Sequence, residues 1–534
     1  MAFLDPSFII FCVFGSILGF FVGALPGLSV TMATAILVSF SYTWQVNHAL
    51  AMVMGIYVVG VYSGALSAIL LNIPGAPSSV ATTLDGYPMT KRGEAKKALV
   101  CAAFYSFTGC VFGLIMLALL AGPVSAVALQ FWPMDYFLLA LFGLVTIGRL
   151  SGDRVYKGLI SAALGFWFSL IGMDPVHGTP RFTFGAEALV SGIPTVPALI
   201  GLFGMAGVLW VMLKRADGKP DQKPDRTAAN SVITSHGDIA MQTDVQAVRL
   251  SEASGQQDTG SRQKPEGSPD MLREALCHFP QSLLYSLTGT LIGALPGAGT
   301  PVASLLAYAQ AKRLVKHPSR PFGEGAVEGI VASESANNAC IGGALIPMLT
   351  LGIPGDAVTA IILSVFTIHG LQPGPLFLAQ DAESFHAILS AGFISCVCLL
   401  LLGLFVAPRF AYLLRIPQNV LMPVIALICV FGAYAGSRRV FDVCVMLFFG
   451  VLGLFMRRYG FPVAPVTLAL VLGRMMESNL RRALSLASSA DHPLIYTFRR
   501  PLTLLLLALL ILPPVAMTIR RQINRNSCRG GIIS

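Results

Sequence analysis

The stretch Gly293-Ala294-Leu295-Pro296-Gly297-Ala298-Gly299-Thr300 is the strongest indication of the architecture, because its first five residues occur once before, as Gly23-Ala24-Leu25-Pro26-Gly27. Proline removes a backbone donor and clashes with the preceding helical turn, and glycine allows sharp turns, so each copy should interrupt a helix. A second break follows each copy inside apolar sequence, at Leu71-Asn72-Ile73-Pro74-Gly75 and at Leu351-Gly352-Ile353-Pro354-Gly355. Four breaks in two matching sets indicate a duplicated unit.

The composition is typical of a protein with many membrane-spanning segments. The 534 residues are 55% hydrophobic and only 12% charged, with a mean hydropathy of +0.72. Many apolar runs approach the ~20 residues that a spanning helix needs. The net charge of +10 comes from Lys and Arg in short loops, as the positive-inside bias produces, and it requires no nucleic-acid partner. We therefore expect an all-α polytopic membrane protein with roughly 11 to 15 membrane segments.

The breaks and a change in composition divide the chain into four parts. We expect a first transmembrane repeat over residues 1–213, a polar flexible linker over 214–273 and a second repeat over 274–475. Residues 476–534 would add one more span and a basic tail. Each repeat holds an odd number of spans whether its first hairpin crosses or re-enters, so the second repeat must be inverted. The prediction is two inverted-topology repeats with broken helices or re-entrant hairpins at the Gly-x-Leu-Pro-Gly motifs.

The predicted binding site lies at the four breaks. In hydrocarbon, an interrupted helix is tolerated only where protein covers the freed backbone groups or where these groups line a cavity and hold a ligand. Helix N-termini at mid-membrane attract anions, and free carbonyls near the breaks can coordinate Na⁺, the only metal ion expected. The candidate substrate- or ion-binding residues are Gly23, Leu25, Pro26, Gly27, Ser29, Asn72, Pro74, Gly75, Ser78, Ser79, Gly293, Pro296, Gly297, Gly299, Thr300, Asn337, Asn338, Pro354, Gly355 and Asp356.

Several of these residues could also serve the fold alone. A single Gly-Pro pair in a membrane helix is more often a packing kink, but four pairs in matching sets favour a site. Asp356 stands directly beside a break, where it binds a cation, carries a proton or, equally well, caps the next helix. Glu334, Asn337 and Asn338 line the site or cap a helix. Asn72 interrupts an apolar run and is the stronger candidate for direct ligand contact.

Ordered motifs cover the chain from Leu4 to about Leu486. They are Gly23-Ala24-Leu25-Pro26-Gly27, Leu71-Asn72-Ile73-Pro74-Gly75, Leu84-Asp85-Gly86-Tyr87-Pro88, Gly172-Met173-Asp174-Pro175 with Arg181-Phe182-Thr183-Phe184-Gly185, Glu334-Ser335-Ala336-Asn337-Asn338-Ala339 and Leu351-Gly352-Ile353-Pro354-Gly355. In these motifs the chain resembles the large membrane subunit of the tripartite tricarboxylate transporters, the TctA family. The resemblance implies a bacterial inner-membrane carboxylate importer driven by Na⁺ or H⁺. It also implies two partners, a small membrane subunit and a periplasmic binding protein that delivers the substrate.

The chain departs from the family pattern in two places. The linker 214–273 is longer and more polar than the family usually carries. Ala76 follows Asn72-Ile73-Pro74-Gly75 where a polar residue, often Glu or Thr, is common. The sequence therefore indicates a di- or tricarboxylate without fixing which one, and citrate is only the family's namesake.

Other functional classes fit less of the pattern. A carboxylate or anion channel also uses broken helices, but no ring of carboxylates or repeated filter segment is present. A secondary transporter for another substrate would share the fold. A membrane-embedded enzyme needs a His/Glu metal motif or a Ser/His/Asp set, and neither occurs. We expect a transporter in the lipid bilayer, with no enzyme activity and no cofactor beyond the coupling ion; a homo-oligomer is compatible with this prediction.

Overall fold

The computed structural model describes residues 5–25, 28–150, 155–174, 178–216, 277–409, 418–489 and 500–511. Helices make up most of these residues, and the strands among them form one short hairpin. Six of the described helices are long and apolar enough to cross a membrane, and shorter apolar helices accompany them. The prediction of an all-α polytopic membrane protein is confirmed.

The helices before the linker are α1 (Pro6–Ala24), α2 (Val30–Phe40), α3 (Val46–Leu71), α4 (Val80–Lys91), α5 (Ala95–Ala128), α6 (Pro133–Leu150), α7 (Val155–Ser169), α8 (Thr195–Leu199) and α9 (Ala206–Ala216). A π-helical segment, Ile200–Met205, joins α8 to α9, and short 3₁₀ turns occupy Ser41–Thr43, Pro77–Ser79 and Glu187–Leu189. The hairpin consists of β1 (Gly172–Met173) and β2 (Pro180–Arg181), which pair antiparallel.

The helices after the linker are α10 (Phe279–Gly293), α11 (Gly299–Leu314), α12 (Val327–Leu351), α13 (Ala357–Ile368), α14 (Phe377–Gln380), α15 (Ala382–Leu401), α16 (Gln418–Ser437), α17 (Val440–Arg458), α18 (Ala464–Ser488) and α19 (Pro501–Ile511). A π-helical segment, Leu402–Val406, continues α15. The linker 214–273 falls almost entirely outside the described residues. The four-part division of the chain therefore stays a prediction.

Each predicted break separates two helices, and the two second breaks have the same local geometry. Asn72 ends α3 and Gly352 ends α12, both in the left-handed conformation, with φ of 59° and 71°. The N–H of the next residue bonds back six positions to a helix carbonyl, across 3.4 Å after Asn72 and 3.2 Å after Gly352. This likeness is local, and the inverted relation of two whole repeats stays a prediction.

Glycines let the helices that carry the breaks pack backbone to backbone. A Cβ added at Gly15 of α1 would lie 2.2 Å from the Met52 carbonyl oxygen of α3. A Cβ added at Gly289 of α10 would lie 2.2 Å from the Ala336 carbonyl oxygen of α12. Contacts this close require glycine, because a real Cβ would overlap the neighbouring backbone. As a result α3 and α12 are buried on all sides in the centre of the bundle.

An ion-pair network fixes the β hairpin on α18. The two terminal guanidinium nitrogens of Arg181 donate to the Glu477 carboxylate, across 2.6 and 3.0 Å. Arg481 bonds to the same carboxylate at 2.9 Å and to Asp174 at 3.1 Å. Two acidic and two basic side chains thus balance each other across residues far apart in the chain. The network joins the connection between α7 and α8 to the last long helix of the second half.

Candidate functional site

One face of α3 contacts three of the four breaks. The residues that make these contacts are spaced three and four apart and therefore share a face: Tyr57, Gly60 and Gly64. The Tyr57 hydroxyl donates to Asp356 Oδ2, in the break before α13, across 2.7 Å. A Cβ at Gly60 would lie 2.9 Å from Val30 Cγ2, at the start of α2, and a Cβ at Gly64 would lie 2.8 Å from Ser79 Oγ. Breaks from both halves therefore meet at the middle of α3.

Within each half, the two breaks touch through their glycines. A Cβ at Gly75 would lie 2.5 Å from the Gly23 carbonyl oxygen, and a Cβ at Gly355 would lie 2.7 Å from the Gly293 carbonyl oxygen. In the second half, the Gly297 N–H also donates to the Gly355 carbonyl across 2.8 Å. These contacts satisfy part of the backbone that the breaks leave without helical partners. They also hold each pair of breaks at one depth.

The halves are interlocked at the breaks. Helix α2, which follows the first break, packs against α13 of the other half, and α11 packs against the Pro77–Ser79 turn of the first half. The Ser304 hydroxyl of α11 donates to the Ser78 carbonyl across 2.8 Å. A Cβ at Gly299 would lie 3.4 Å from Asp356 Cβ. The arm after each Gly-x-Leu-Pro-Gly motif thus packs on the segment that follows the Pro-Gly break of the other half.

Four helical segments begin in this region, and side chains cap only two of them. Ser29 accepts a hydrogen bond from Met32 N at 3.1 Å at the start of α2. Asp356 Oδ1 accepts from Thr359 N at 2.8 Å in a reciprocal capping box at the start of α13. Among the described residues, no side chain caps the Pro77–Ser79 turn or α11. These two N-termini come from opposite halves and present positive dipole ends, which favour an anion. Pro77 has no N–H and the Ser79 N–H bonds to the Ala76 carbonyl at 3.0 Å, so the turn offers the Ser78 N–H.

The predicted site residues have different positions in this arrangement. Pro26 and Gly27 lie outside the described residues. Asn72 is half-buried as the left-handed C-cap of α3, a position that the end of the helix explains, and its contact with a ligand stays a prediction. Asn337 and Asn338 are fully buried inside α12 rather than at its start, so neither caps that helix. The remaining predicted residues lie in the breaks or directly after them: Leu25, Pro74, Pro296, Thr300 and Pro354.

The structure adds two polar partners that the sequence did not point to, Tyr57 and Ser106, and it pairs Thr82, a polar residue near the Pro74 break, with Glu334. Tyr57 gave no signal beyond being a tyrosine in an apolar run. Thr82 and Ser106 donate to the two carboxylate oxygens of Glu334, the second across 2.8 Å. An acidic residue inside an apolar run was itself a detectable signal for Glu334. Its partners were not detectable, because they lie on other helices more than 220 residues away.

A second buried carboxylate ties α4 to the entrance of α12. Asp85 Oδ1 accepts from the N–H groups of Gly323, Gly325 and Ala326, each at 2.8 Å. Its Oδ2 accepts from the Tyr308 hydroxyl at 2.8 Å. Both oxygens are therefore occupied, and the role of Asp85 is to hold a loop of the second half against a helix of the first.

Comparisons with known proteins place this geometry in a family. The family model described as "Tripartite tricarboxylate transporter TctA family" matches residues 9–468. The Agrobacterium vitis protein named "Uncharacterized 52.8 kDa protein in TAR-I ttuC' 3'region" is 34% identical over 482 residues, covering 90% of this chain and 88% of that protein. A second Agrobacterium vitis protein, "Uncharacterized protein in TAR-II ttuC' 3'region", is 38% identical over 196 residues, covering 37% and 81% respectively. No solved structure matches the chain significantly.

Proposed function

Because this chain belongs to the tripartite tricarboxylate transporter TctA family, we propose that it is the large membrane subunit of a di- or tricarboxylate importer. Family membership makes it a transporter component and not an enzyme, and its apolar helices make it a multi-pass membrane protein. The family also implies tripartite partners in general. The finer proposal is a bacterial inner-membrane importer of citrate-like substrates. It receives them from a periplasmic binding protein, works with a small membrane subunit and is driven by Na⁺ or H⁺.

The meeting of two uncapped helix N-termini from opposite halves supports this function best. The Pro77–Ser79 turn packs against α11, and the Ser304 hydroxyl, in the second turn of α11, donates to the Ser78 carbonyl. Each offers at least one backbone N–H group, with Thr300 at the start of α11 adding a hydroxyl. A substrate with two or three carboxylates can engage both N-termini at once. Binding would then draw the two halves together.

Neutral donors also suit release of the substrate. The donors proposed here are N–H groups and hydroxyls, and no Lys or Arg stands beside these breaks. A Lys or Arg would add a charge-assisted ion pair to each substrate carboxylate, whereas these donors carry no fixed counter-charge. Alternating access would follow from movement of one part of the bundle against the rest around the site. The interlocked arms at the breaks are the elements that such a movement must rearrange.

Uptake into proteoliposomes tests the proposal. The vesicles hold this chain and its small subunit, the cognate binding protein is outside, and labelled citrate and other carboxylates are supplied with and without a Na⁺ or pH gradient. We expect accumulation of at least one carboxylate above equilibrium, dependent on both the gradient and the binding protein. Uptake that ignores the gradient and stops at equilibrium would support the channel alternative, and no flux of any carboxylate would contradict the proposed substrate class.

A pair of serine variants tests the proposed position of the site. Ser304→Ala removes the hydrogen bond between α11 and the Pro77–Ser79 turn. Ser282→Ala is the matched control, because the Ser282 hydroxyl bonds only locally, to the Phe279 carbonyl at 2.7 Å. We expect Ser304→Ala to raise the KM for the carboxylate and Ser282→Ala to leave it unchanged. Equal KM values in both variants would remove the support for this position.

A further inference from the structure

A carboxyl group without a basic partner lies in the centre of the bundle. Glu334, in the middle of α12, is completely buried. Its Oε1 accepts from the Thr82 hydroxyl of α4, and its Oε2 accepts from the Ser106 hydroxyl of α5 across 2.8 Å. No Lys, Arg or His of the described part of the chain forms an ion pair with it. A buried carboxylate with only neutral partners is costly, and such residues inside a membrane domain are functional by default.

Several polar atoms around Glu334 lack a hydrogen-bond partner among the described residues. Asn338, one turn further along α12, donates from Nδ2 to the Glu334 carbonyl at 3.1 Å, but its Oδ1 has no partner. The amide of Asn337 lies next to the Glu334 carboxylate, and its oxygen has no hydrogen-bond partner among the described residues. Both asparagines are completely buried. Unsatisfied buried polar atoms are rare, and here they gather around one carboxylate.

Ser79 belongs to the same set. Its hydroxyl is completely buried and also lacks a partner among the described residues. Asp85 of α4 contacts the loop that enters α12, whereas Thr82 contacts Glu334 further along α12, so the two helices run antiparallel. Ser79 precedes Thr82 by one helical turn on the same face of α4. Because α4 and α12 are antiparallel, this step back along α4 corresponds to a step forward along α12, from Glu334 towards Asn337 and Asn338. Ser79 therefore lies at the level of the two asparagines along α12, and its Oγ lies against Gly64 of α3, 2.8 Å from the position of an added Cβ.

We propose that Glu334, Asn337, Asn338, Ser79 and Thr82, here called the Glu334 cluster, bind a single Na⁺ ion. The cluster offers carboxylate, amide and hydroxyl oxygens, the ligands that hard cations prefer. Thr82 keeps a lone pair for a cation while its hydrogen points to Glu334, since a hydroxyl carries two acceptor sites. The carboxylate and both amides of the cluster stand on α12, whereas the proposed anion site is formed by the Pro77–Ser79 turn and the start of α11.

The chemistry of the cluster selects a monovalent cation over the two alternatives. One carboxylate neutralises one positive charge, so a divalent ion would leave a net charge in a buried, low-dielectric position. A proton would satisfy the carboxyl group alone and leave the Asn337 and Asn338 oxygens without a partner. The ion would lie beside the Pro77–Ser79 turn, because Ser79 belongs to both. The positive charge of the ion would then favour binding of the carboxylate substrate at that N-terminus. Binding of Na⁺ and binding of the substrate would thus be coupled.

This inference rests on the proposed function, since it names the coupling ion, but its test needs neither carboxylate nor partner subunits. The purified full chain in detergent is titrated with NaCl, KCl or choline chloride at constant ionic strength. Thermal unfolding and binding of radioactive Na⁺ are measured. We expect a saturable rise in Tm and saturable binding with Na⁺ only. A wild-type protein that responds to Na⁺ no more than to choline would overturn the proposal.

Matched variants locate the ion. Glu334→Gln should abolish Na⁺ binding and the Na⁺-dependent rise in Tm. Glu328→Gln is the control, because Glu328 is a buried acid on the same helix whose carboxylate accepts from Ser319; it should bind Na⁺ normally. Asn338→Ala and Thr82→Val should each raise the Kd for Na⁺ about tenfold or more, since each loses an interaction with a charged group.

Each outcome decides between the two proposals. Wild-type Na⁺ affinity in Glu334→Gln would overturn the cluster, and if that variant does not fold, unchanged affinity in both Asn338→Ala and Thr82→Val would overturn it. Na⁺ binding without carboxylate uptake would leave the cluster standing and contradict the proposed function. Carboxylate uptake driven by a pH gradient, without Na⁺ binding, would support the proposed function and overturn the cluster.

Discussion

The Tyr57 hydroxyl donates a hydrogen bond to Asp356 Oδ2 across 2.7 Å, although the two residues are 299 positions apart in the chain. The other carboxylate oxygen of Asp356 caps α13 through the Thr359 N–H. One carboxylate therefore both starts the helix after the fourth break and attaches it to α3 of the other half. Its cost of burial is offset by hydrogen bonds to both oxygens.

Tyr57→Phe should weaken the attachment of α13 to α3, because it removes the hydroxyl donor and keeps the aromatic ring. The variant leaves one buried carboxylate oxygen without its donor, which we expect to lower the free energy of unfolding by about 1–3 kcal/mol. Denaturant titration in mixed micelles measures the change, and carboxylate uptake should also fall. Tyr136→Phe is the control, because the Tyr136 hydroxyl bonds to the Ala128 carbonyl at 3.0 Å, away from the breaks. Normal uptake in Tyr57→Phe would show that the attachment is dispensable.

Substitutions of Asp356 separate its capping role from its charge. Asn is as good an N-cap as Asp, so Asp356→Asn should fold normally, whereas Asp356→Ala should lose about 1 kcal/mol of stability. Unfolding measurements on both variants check this expectation. If only the cap matters, Asp356→Asn keeps wild-type uptake. A loss of uptake in a stable Asp356→Asn protein, combined with normal uptake in Tyr57→Phe, would instead assign the charge to ion or proton transport.

Alanine at the break glycines should prevent close approach of the paired breaks. In Gly75→Ala and Gly355→Ala, the new Cβ would lie 2.5 and 2.7 Å from backbone carbonyl oxygens, which cannot move aside easily. We expect little folded protein by size-exclusion chromatography and no uptake. Gly122→Ala is the control, since a Cβ there meets nothing within 4 Å. It should be neutral or stabilise α5 by roughly 0.5–1 kcal/mol. Folded, active Gly75→Ala protein would contradict the packing described here.

Removal of Arg181 should destabilise the junction between the β hairpin and α18. Arg181→Ala leaves the largely buried Glu477 carboxylate without its bidentate partner, although Arg481 still bonds to it. We expect a loss of roughly 1–3 kcal/mol in the free energy of unfolding. Arg320→Ala is the control, because its ion pair with Glu94 involves an Arg side chain that is 46% exposed. That pair should contribute about 0–1 kcal/mol. If Arg181→Ala and Arg320→Ala lowered the free energy of unfolding equally, burial of the ion pair would not explain the loss of stability.

The positions of the breaks were predictable, because Gly and Pro act on the backbone where they stand. The Gly-x-Leu-Pro-Gly and Pro-Gly motifs alone indicated where α1, α3, α10 and α12 would end. The capping role of Asp356 was one of the alternatives that its place after Gly355 suggested, and the capping box shows that role. Composition alone identified a multi-pass membrane protein, since many apolar runs of about the length of a bilayer crossing are typical of that class.

Local sequence is enough to predict the apolar helices, the four interruptions and the polar residues beside them. Which of these residues meet depends on how the whole chain packs, as in the contacts of Tyr57 with Asp356, Ser304 with Ser78 and Glu334 with Thr82. The physical reason is that α3 and α12 are buried on all sides. A helix surrounded by protein has no polar face to reveal its orientation, so hydrophobic periodicity cannot predict its neighbours.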